Sequence, residues 1–177
     1  MKNILITGGG GYIGTNLTKE LLNEGYNVTV IDTFWFGNYL EKHKKLKIIK
    51  KDIRNISKKD LNKIDCIMHL ASIANDPAAE LDARLTWDVN VLATYKLINL
   101  ALIQKVKKFI FASSGSVYGI KKEKKVVENL SLEPISEYNK SKMIGERVLL
   151  SYKKNIDIKI LRPATVCGYS PAMRLDV

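Results

Sequence analysis

The sequence predicts a doubly wound α/β domain, with helices on both faces of a parallel sheet of about six strands. Three observations predict it. Short apolar runs alternate with stretches of helical periodicity along all 177 residues. Four consecutive glycines separate the first apolar run from the first helical stretch, and an aspartate closes the second run. Alternating strands and helices pair in parallel through right-handed crossovers.

The elements follow in order. Residues 3–7 are a short apolar run stopped by glycines, which reads as a buried strand. Residues 13–24 carry Ile13, Leu17, Leu21 and Leu22 at helical spacing, and Gly25 is placed to end that helix. Residues 28–31 form a second strand ending at Asp32, and residues 46–49 a third, followed by Asp52-Ile53-Arg54. Residues 64–71 read as the fourth strand. A long helical pattern over residues 84–104 carries Trp87, Val91, Tyr95, Ile98 and Leu102. Residues 109–112 are a fifth strand, 137–152 a helix, and 156–161 a sixth strand ended by Pro163. No repeat or linker interrupts the pattern, so residues 1–177 read as one domain.

Composition excludes several classes. With 46% hydrophobic and 27% charged residues, the chain is neither disordered nor collagen-like. No stretch reaches the roughly 20 apolar residues that span a bilayer, and no secretory leader is visible, so a soluble cytoplasmic domain is expected. Cys66 and Cys167 lie far apart without a Cys-x-x-Cys spacing and read as reduced, buried thiols. His43 and His69 form no ligand cluster with them, and no metal site is expected. Lysine supplies 24 of the 29 basic residues behind the net charge of +11, and the lysines are scattered. Nucleic-acid sites favour the arginine fork, so these lysines read as solvated surface and no nucleic-acid partner is expected.

The glycine turn carries the first chemistry. Gly9, Gly11 and Gly14 satisfy Gly-x-Gly-x-x-Gly, and Gly8, Gly11 and Gly14 satisfy Gly-x-x-Gly-x-x-Gly. Such a turn needs glycine for tightness, for close approach of a pyrophosphate and for packing of helix on sheet. The helix that follows offers free N–H groups and a positive dipole end. Asp32 is suited to accept hydrogen bonds from ribose hydroxyls and to repel a 2′-phosphate, which favours NAD over NADP. The pattern is that of a Rossmann-type dinucleotide site.

Tyr138 and Lys142 stand four apart on a helix and share a face. An ammonium beside a phenol favours the phenolate, which makes Tyr138 a candidate acid/base. Ser113-Ser114-Gly115-Ser116 follows the fifth strand at its carboxyl end, where open α/β sheets place ligands.

As an ordered set these pieces resemble the extended short-chain dehydrogenase/reductase family, specifically the NAD-dependent nucleotide-sugar epimerases and dehydratases. The matching residues are 7–14, Asp32, 52–54, 69–71, Asn90, 113–119, 138–142 and 161–163, so the resemblance covers essentially the whole chain. It implies that Gly8, Gly11, Tyr12, Ile13 and Gly14 surround the pyrophosphate and that Asp32 holds the adenosine ribose. Asp52 and Ile53 would flank adenine. Leu70, Ala71 and Ser72 would line the middle of the cofactor, with Asn90 supporting that loop from beneath. Ser114, Tyr138 and Lys142 would be the catalytic trio, Lys142 also holding the nicotinamide ribose, and Pro163 would touch the nicotinamide. Phe34-Trp35-Phe36 reads equally as a cover for the adenosine side and as an apolar loop packed on the domain.

The resemblance further implies transient oxidation of a nucleotide sugar. Dehydratases of the family carry an Asp-Glu pair where this chain has Gly115 and Ser116, so epimerase or ketoreductase chemistry is favoured. Relatives continue into a smaller C-terminal lobe that grips the sugar nucleotide, and that lobe is not encoded in these 177 residues. A cofactor-binding module without turnover therefore stands as the alternative, with a polyanion binder as a remote one. Family dimers pair two long helices, here residues 84–104 and 137–152.

Overall fold

Ile4, Leu5 and Ile6 are all buried, because period-two alternation sends Leu5 to one face of its strand and its neighbours to the other. That strand, β1 (Asn3–Thr7), lies at the centre of the sheet. In the computed structural model, which describes residues 1–173, it is joined by β2 (Asn27–Asp32), β3 (Leu46–Lys50), β4 (Cys66–His69), β5 (Lys108–Ala112) and β6 (Asp157–Leu161). All pairs are parallel and the order is β3-β2-β1-β4-β5-β6. The chain builds outward from β1 to β3, crosses back to β4, and builds outward the other way.

One face of the sheet packs on α1 (Tyr12–Asn23), whose Leu17, Leu21 and Leu22 meet Ile4, Ile6, Val28 and Val30. The helix ends as its sequence suggests. Gly25 takes φ +85°, its N–H donates to Leu22 O, and Tyr26 N–H donates to Leu21 O. The other face packs Leu5, Ile67, Phe109 and Phe111 against two helices, α4 (Ala93–Ile103) through Leu97, Ile98 and Ala101, and α5 (Glu137–Leu150) through Leu149.

Several boundaries differ from the sequence reading. The fourth strand is four residues, not the eight of 64–71, because its pairing partner β1 ends at Thr7 and turns into Gly8. The pattern over residues 84–104 is helical without a break over 83–103, as expected, but it is not α-helical throughout. It comprises α3 (Ala83–Trp87), a π-helical turn at Asp88–Leu92, and α4. A short unpredicted helix, α2 (Asp76–Leu81), precedes them, started by Asn75, whose side chain accepts from Ala78 N–H. Cys167 is exposed rather than buried, since it lies in the segment that leaves the sheet after β6. Cys66 is buried, and burial pushes its thiol up to about 11. No helix among the described residues is long and apolar enough to cross a membrane.

No buried side-chain nitrogen or oxygen among the described residues lacks a hydrogen-bond partner. The largest fully buried polar side chain among the described residues is His69 at the end of β4. Its Nδ1 lies 2.6 Å from the Thr7 hydroxyl and its Nε2 2.8 Å from that of Thr94. Thr94 donates to Asn90 O, so it accepts from Nε2–H, and the Thr7 hydroxyl donates to Nδ1. The imidazole is thus held neutral, and burial, with the Lys142 charge second, pushes its pKa down to about 3. An unfolded histidine takes up its proton near pH 6.5, so between that pH and 3 the unfolded chain binds more protons and stability falls as pH falls. Urea unfolding across pH 3 to 7 is expected to show this slope in the wild type and a shallower one in His69→Gln.

Candidate functional site

Because all six strands run the same way, their carboxyl ends share one edge, and the loops after β1, β2, β3, β4, β5 and β6 that carry most of the singled-out residues open from it. Reversal of the sheet between β1 and β4 opens a crevice there, the position where such folds bind ligands.

The glycine turn fills the crevice. Gly8 takes φ +75°, and a Cβ there would come within 2.5 Å of Ala71 N, so the loops after β1 and β4 touch backbone to backbone. A Cβ on Gly14 would lie 2.3 Å from Gly8 O, which seats α1 directly on the turn. Gly11 differs: a Cβ there would meet only Gly8 O, at an ordinary 3.5 Å. Gly11 precedes Tyr12, Ile13 and Gly14 at the start of α1, which has neither a side-chain cap nor an acid in its first turn. By contrast, Asn75, Asp82 and Ser136 cap α2, α3 and α5. The first amides of α1 therefore have no side-chain cap and can meet an anion, with Gly11 adding no bulk, while Tyr12 is tied through its hydroxyl to Gly168 O and through its carbonyl to Ser170 Oγ.

Asp32 is fixed by two amides. Its Oδ2 accepts from Gly10 N–H at 2.9 Å and its Oδ1 from Phe34 N–H at 2.7 Å. Each oxygen keeps a lone pair for an incoming hydroxyl. Phe34 is half-buried against the α1 side of the core, whereas Trp35 and Phe36 are exposed. After β3, Asp52 accepts from Arg54 N–H and from its guanidinium, and that hydrogen bond holds the carboxyl below the usual range. Ile53 beside it is buried.

Leu70, Ala71 and Ser72 leave β4 over the crevice. Leu70 N–H donates to Thr7 O, and Ser72 Oγ donates to Ile73 O. Asn90, in the π-helical turn, accepts from Ile73 N–H and donates both to Ile73 O and to Ser141 Oγ. It thereby joins the loop after β4 to α5 next to Lys142.

On α5, Lys142 is buried and donates to Ala112 O at 2.9 Å, with its Nζ 5.7 Å from the Tyr138 ring centre. Burial pushes its pKa down to about 7. Ser114 follows β5 and lies 2.8 Å, oxygen to oxygen, from Ser116, which donates to Asn139 Oδ1 at 2.5 Å. The Ser116 proton is committed to Asn139, so Ser114 donates to Ser116 Oγ, accepts from Ser116 N–H, and keeps one further acceptor lone pair. Pro163 O accepts from Gly115 N–H at 2.7 Å, drawing the loops after β5 and β6 together. Sequence reasoning missed the Ser116–Asn139 link, although Asn139 directly follows Tyr138.

A reversed parallel sheet, an uncapped glycine-led helix and an acid at the end of β2 define a dinucleotide-binding α/β protein of the Rossmann type. The residues fit NAD, since Gly11 leaves room beside uncapped amides and Asp32 presents free lone pairs. The chain belongs to the NAD dependent epimerase/dehydratase family, whose model matches residues 4–176. It is 33% identical over 174 residues to UDP-glucose 4-epimerase of Lactobacillus helveticus, covering 94% of this chain and 52% of that protein. UDP-glucuronic acid 4-epimerase from Bacillus cereus, solved in complex with NAD, superposes with a TM-score of 0.88 at 36% identity, covering 99% of this chain and 60% of that one. UDP-N-acetylglucosamine 4-epimerase from Methanobrevibacter ruminantium M1 gives 0.86 at 32% identity, covering 91% and 54%. The chain spans about half the length of the curated relatives it matches.

Lys142 makes the site visible in folding thermodynamics. The folded protein releases this proton near pH 7 and the unfolded chain near 10.5, so between those values the unfolded chain binds more protons and stability rises with pH. Melting temperatures across pH 6.5 to 10 are expected to show a component of that rise which Lys142→Met lacks.

Proposed function

We propose that this chain is the NAD-binding domain of a nucleotide-sugar epimerase, with Tyr138 as the acid/base. One observation carries the reading: the uncapped start of α1 and the buried Lys142 beside Tyr138 sit over the same crevice at one sheet edge. NAD⁺, when bound there, supplies a hydride acceptor that can return the hydride to the sugar.

The chain's residues divide the remaining work. Gly8, Gly11, Tyr12, Ile13 and Gly14 hold the pyrophosphate and Asp32 the adenosine ribose, with Asp52 and Ile53 at adenine. Leu70, Ala71 and Ser72 line the middle, kept in place by Asn90. Ser114 accepts a hydrogen bond from the reacting sugar hydroxyl and aligns it on Tyr138. Tyr138 takes the hydroxyl proton and gives it back after the ketone has turned its other face. Lys142 stabilises the phenolate and would hold the nicotinamide ribose, and Pro163 would touch the nicotinamide end. Gly115 and Ser116 bring no carboxylate to the site, which favours epimerisation over loss of water. Position 115 also has little room, since a Cβ there would lie 3.1 Å from Pro163 O. The relatives' UDP-sugars point to a nucleotide sugar as substrate. Exposed Leu92, Tyr95 and Ile103 along the π turn and α4 are consistent with pairing of two chains through their long helices.

Calorimetric titration is expected to show NAD⁺ binding preferred over NADP⁺. Gly11 has φ −80°, which alanine adopts freely, so Gly11→Ala should melt close to wild type yet bind NAD⁺ at least about tenfold more weakly. Gly14→Ala should instead lose about 1–3 kcal/mol of stability through overlap with the turn. With UDP-glucose, UDP-glucuronate and UDP-N-acetylglucosamine as substrates, Tyr138→Phe should lower interconversion by about 10²–10⁴-fold. NAD⁺ binding with no conversion of any sugar would support the cofactor-binding module instead, and a folded chain that binds neither dinucleotide would overturn both readings.

A further inference from the structure

An ion pair with a buried carboxylate ties the Tyr138–Lys142 helix to the exit of β6 without touching the reacting groups. Glu146 lies one turn beyond Lys142 on the same face of α5, with 1% of its side chain exposed, and Arg162 at the exit of β6 has 18% exposed. Glu146 Oε2 accepts from Arg162 Nη2 at 2.6 Å, and Oε1 accepts from Arg162 Nε at 2.9 Å and from Ser113 Oγ at 2.5 Å. Arg162 Nη1 donates onward to the Tyr118 hydroxyl at 2.8 Å.

Taking two charges out of water costs several kcal/mol each, and well-packed apolar residues of similar volume often hold a fold as well. What such residues lack is direction. The bidentate fork fixes distance and angle together. Its effect falls on the loop between β5 and α5. Ala112 O accepts from Lys142, Ser113 Oγ donates to Glu146, Ser113 N–H donates to Leu161 O, and Gly115 N–H donates to Pro163 O. Ser114 is thus pinned on both sides, twice to α5 and twice to the exit of β6, and the Glu146–Arg162 pair ties those two supports to each other.

We propose that Glu146 and Arg162 are positioning residues that hold Ser114 and Pro163 in register with Tyr138 and Lys142, and so set how a nicotinamide ring is held. The proposal rests on the reading of NAD binding given above. An adenosine half bound at Gly11–Gly14 and Asp32 is remote from the pair, so affinity and ring placement should separate.

NADH titration of the full 177-residue chain reads both, through the dissociation constant and the nicotinamide fluorescence at saturation. In Glu146→Gln and Ser113→Ala, the dissociation constant should stay within about threefold of wild type while the saturated enhancement falls by about half or more, since displacement of about 1 Å is enough to lose productive geometry. Arg162→Lys, which keeps the charge and loses the fork, should fall between. Ser113→Ala leaves the ion pair whole and decides the matter if Glu146→Gln does not fold. Wild-type enhancement in both variants overturns the proposal. So does a lowered melting temperature with weaker binding but an unchanged saturated signal, because that is the signature of a merely structural pair. Saturable binding to wild type without enhancement overturns it too, as no ring is then held. Failure of wild type to bind NADH at all instead overturns the cofactor reading, and this proposal with it.

Discussion

The close approach of the backbone after β1 to the backbone after β4 governs this structure. Gly8 meets Leu70 and Ala71 with no space for a methyl group, and Gly14 meets Gly8 in the same way. Those contacts occur where the sheet changes its direction of growth, so they set the width of the crevice and the angle at which α1 points into it. A strand order with β1 beside β4 would survive other loops, but the uncapped helix start would then face elsewhere. Local backbone sterics at three or four atoms thus decide what the start of α1 presents to a ligand.

A second line of order runs beneath the crevice as a continuous set of buried hydrogen bonds. Thr7, His69, Thr94, Asn90 and Ser141 connect β1 to β4, β4 to α4, and the π-helical turn to α5. Each member is satisfied, which is the condition under which a buried polar network rigidifies rather than weakens a core. A π turn costs regular helix geometry, and here it brings the Asn90 side chain to the backbone of Ile73 while its carbonyl receives Thr94. The apolar cores on the two faces supply cohesion, and this polar line supplies alignment between them.

Much of the architecture was legible in the sequence because its signals are local. Apolar runs of four to six residues, helical spacing of leucines and the punctuation by Gly25 or Pro163 depend on neighbours along the chain. Six strands and the helices α1, α4 and α5 follow from them. The placement of the candidate site was legible for a related reason: parallel strands bring every post-strand loop to one edge, whatever the loops contain. What escaped depends on partners distant in sequence. Residues 84–104 keep helical periodicity through the π turn, so nothing local announces it. α2 is only six residues and rests on a cap by Asn75. Ser116 with Asn139, and Glu146 with Arg162, meet only after β5, α5 and β6 have assembled. Cys167 was misjudged because cysteine is usually buried, whereas exposure is decided by which element covers a segment.

Among the described residues, β3 and β6 are the outer strands of the sheet, each hydrogen-bonded along one side. An unpaired strand side is a ready template for a strand from another molecule, and proteins blunt that hazard with lysine. Lys47 and Lys50 are exposed on β3, and Lys159 is exposed on β6. A part of the +11 charge is therefore placed where it discourages edge-to-edge aggregation, a contribution to solubility that asks nothing of any ligand.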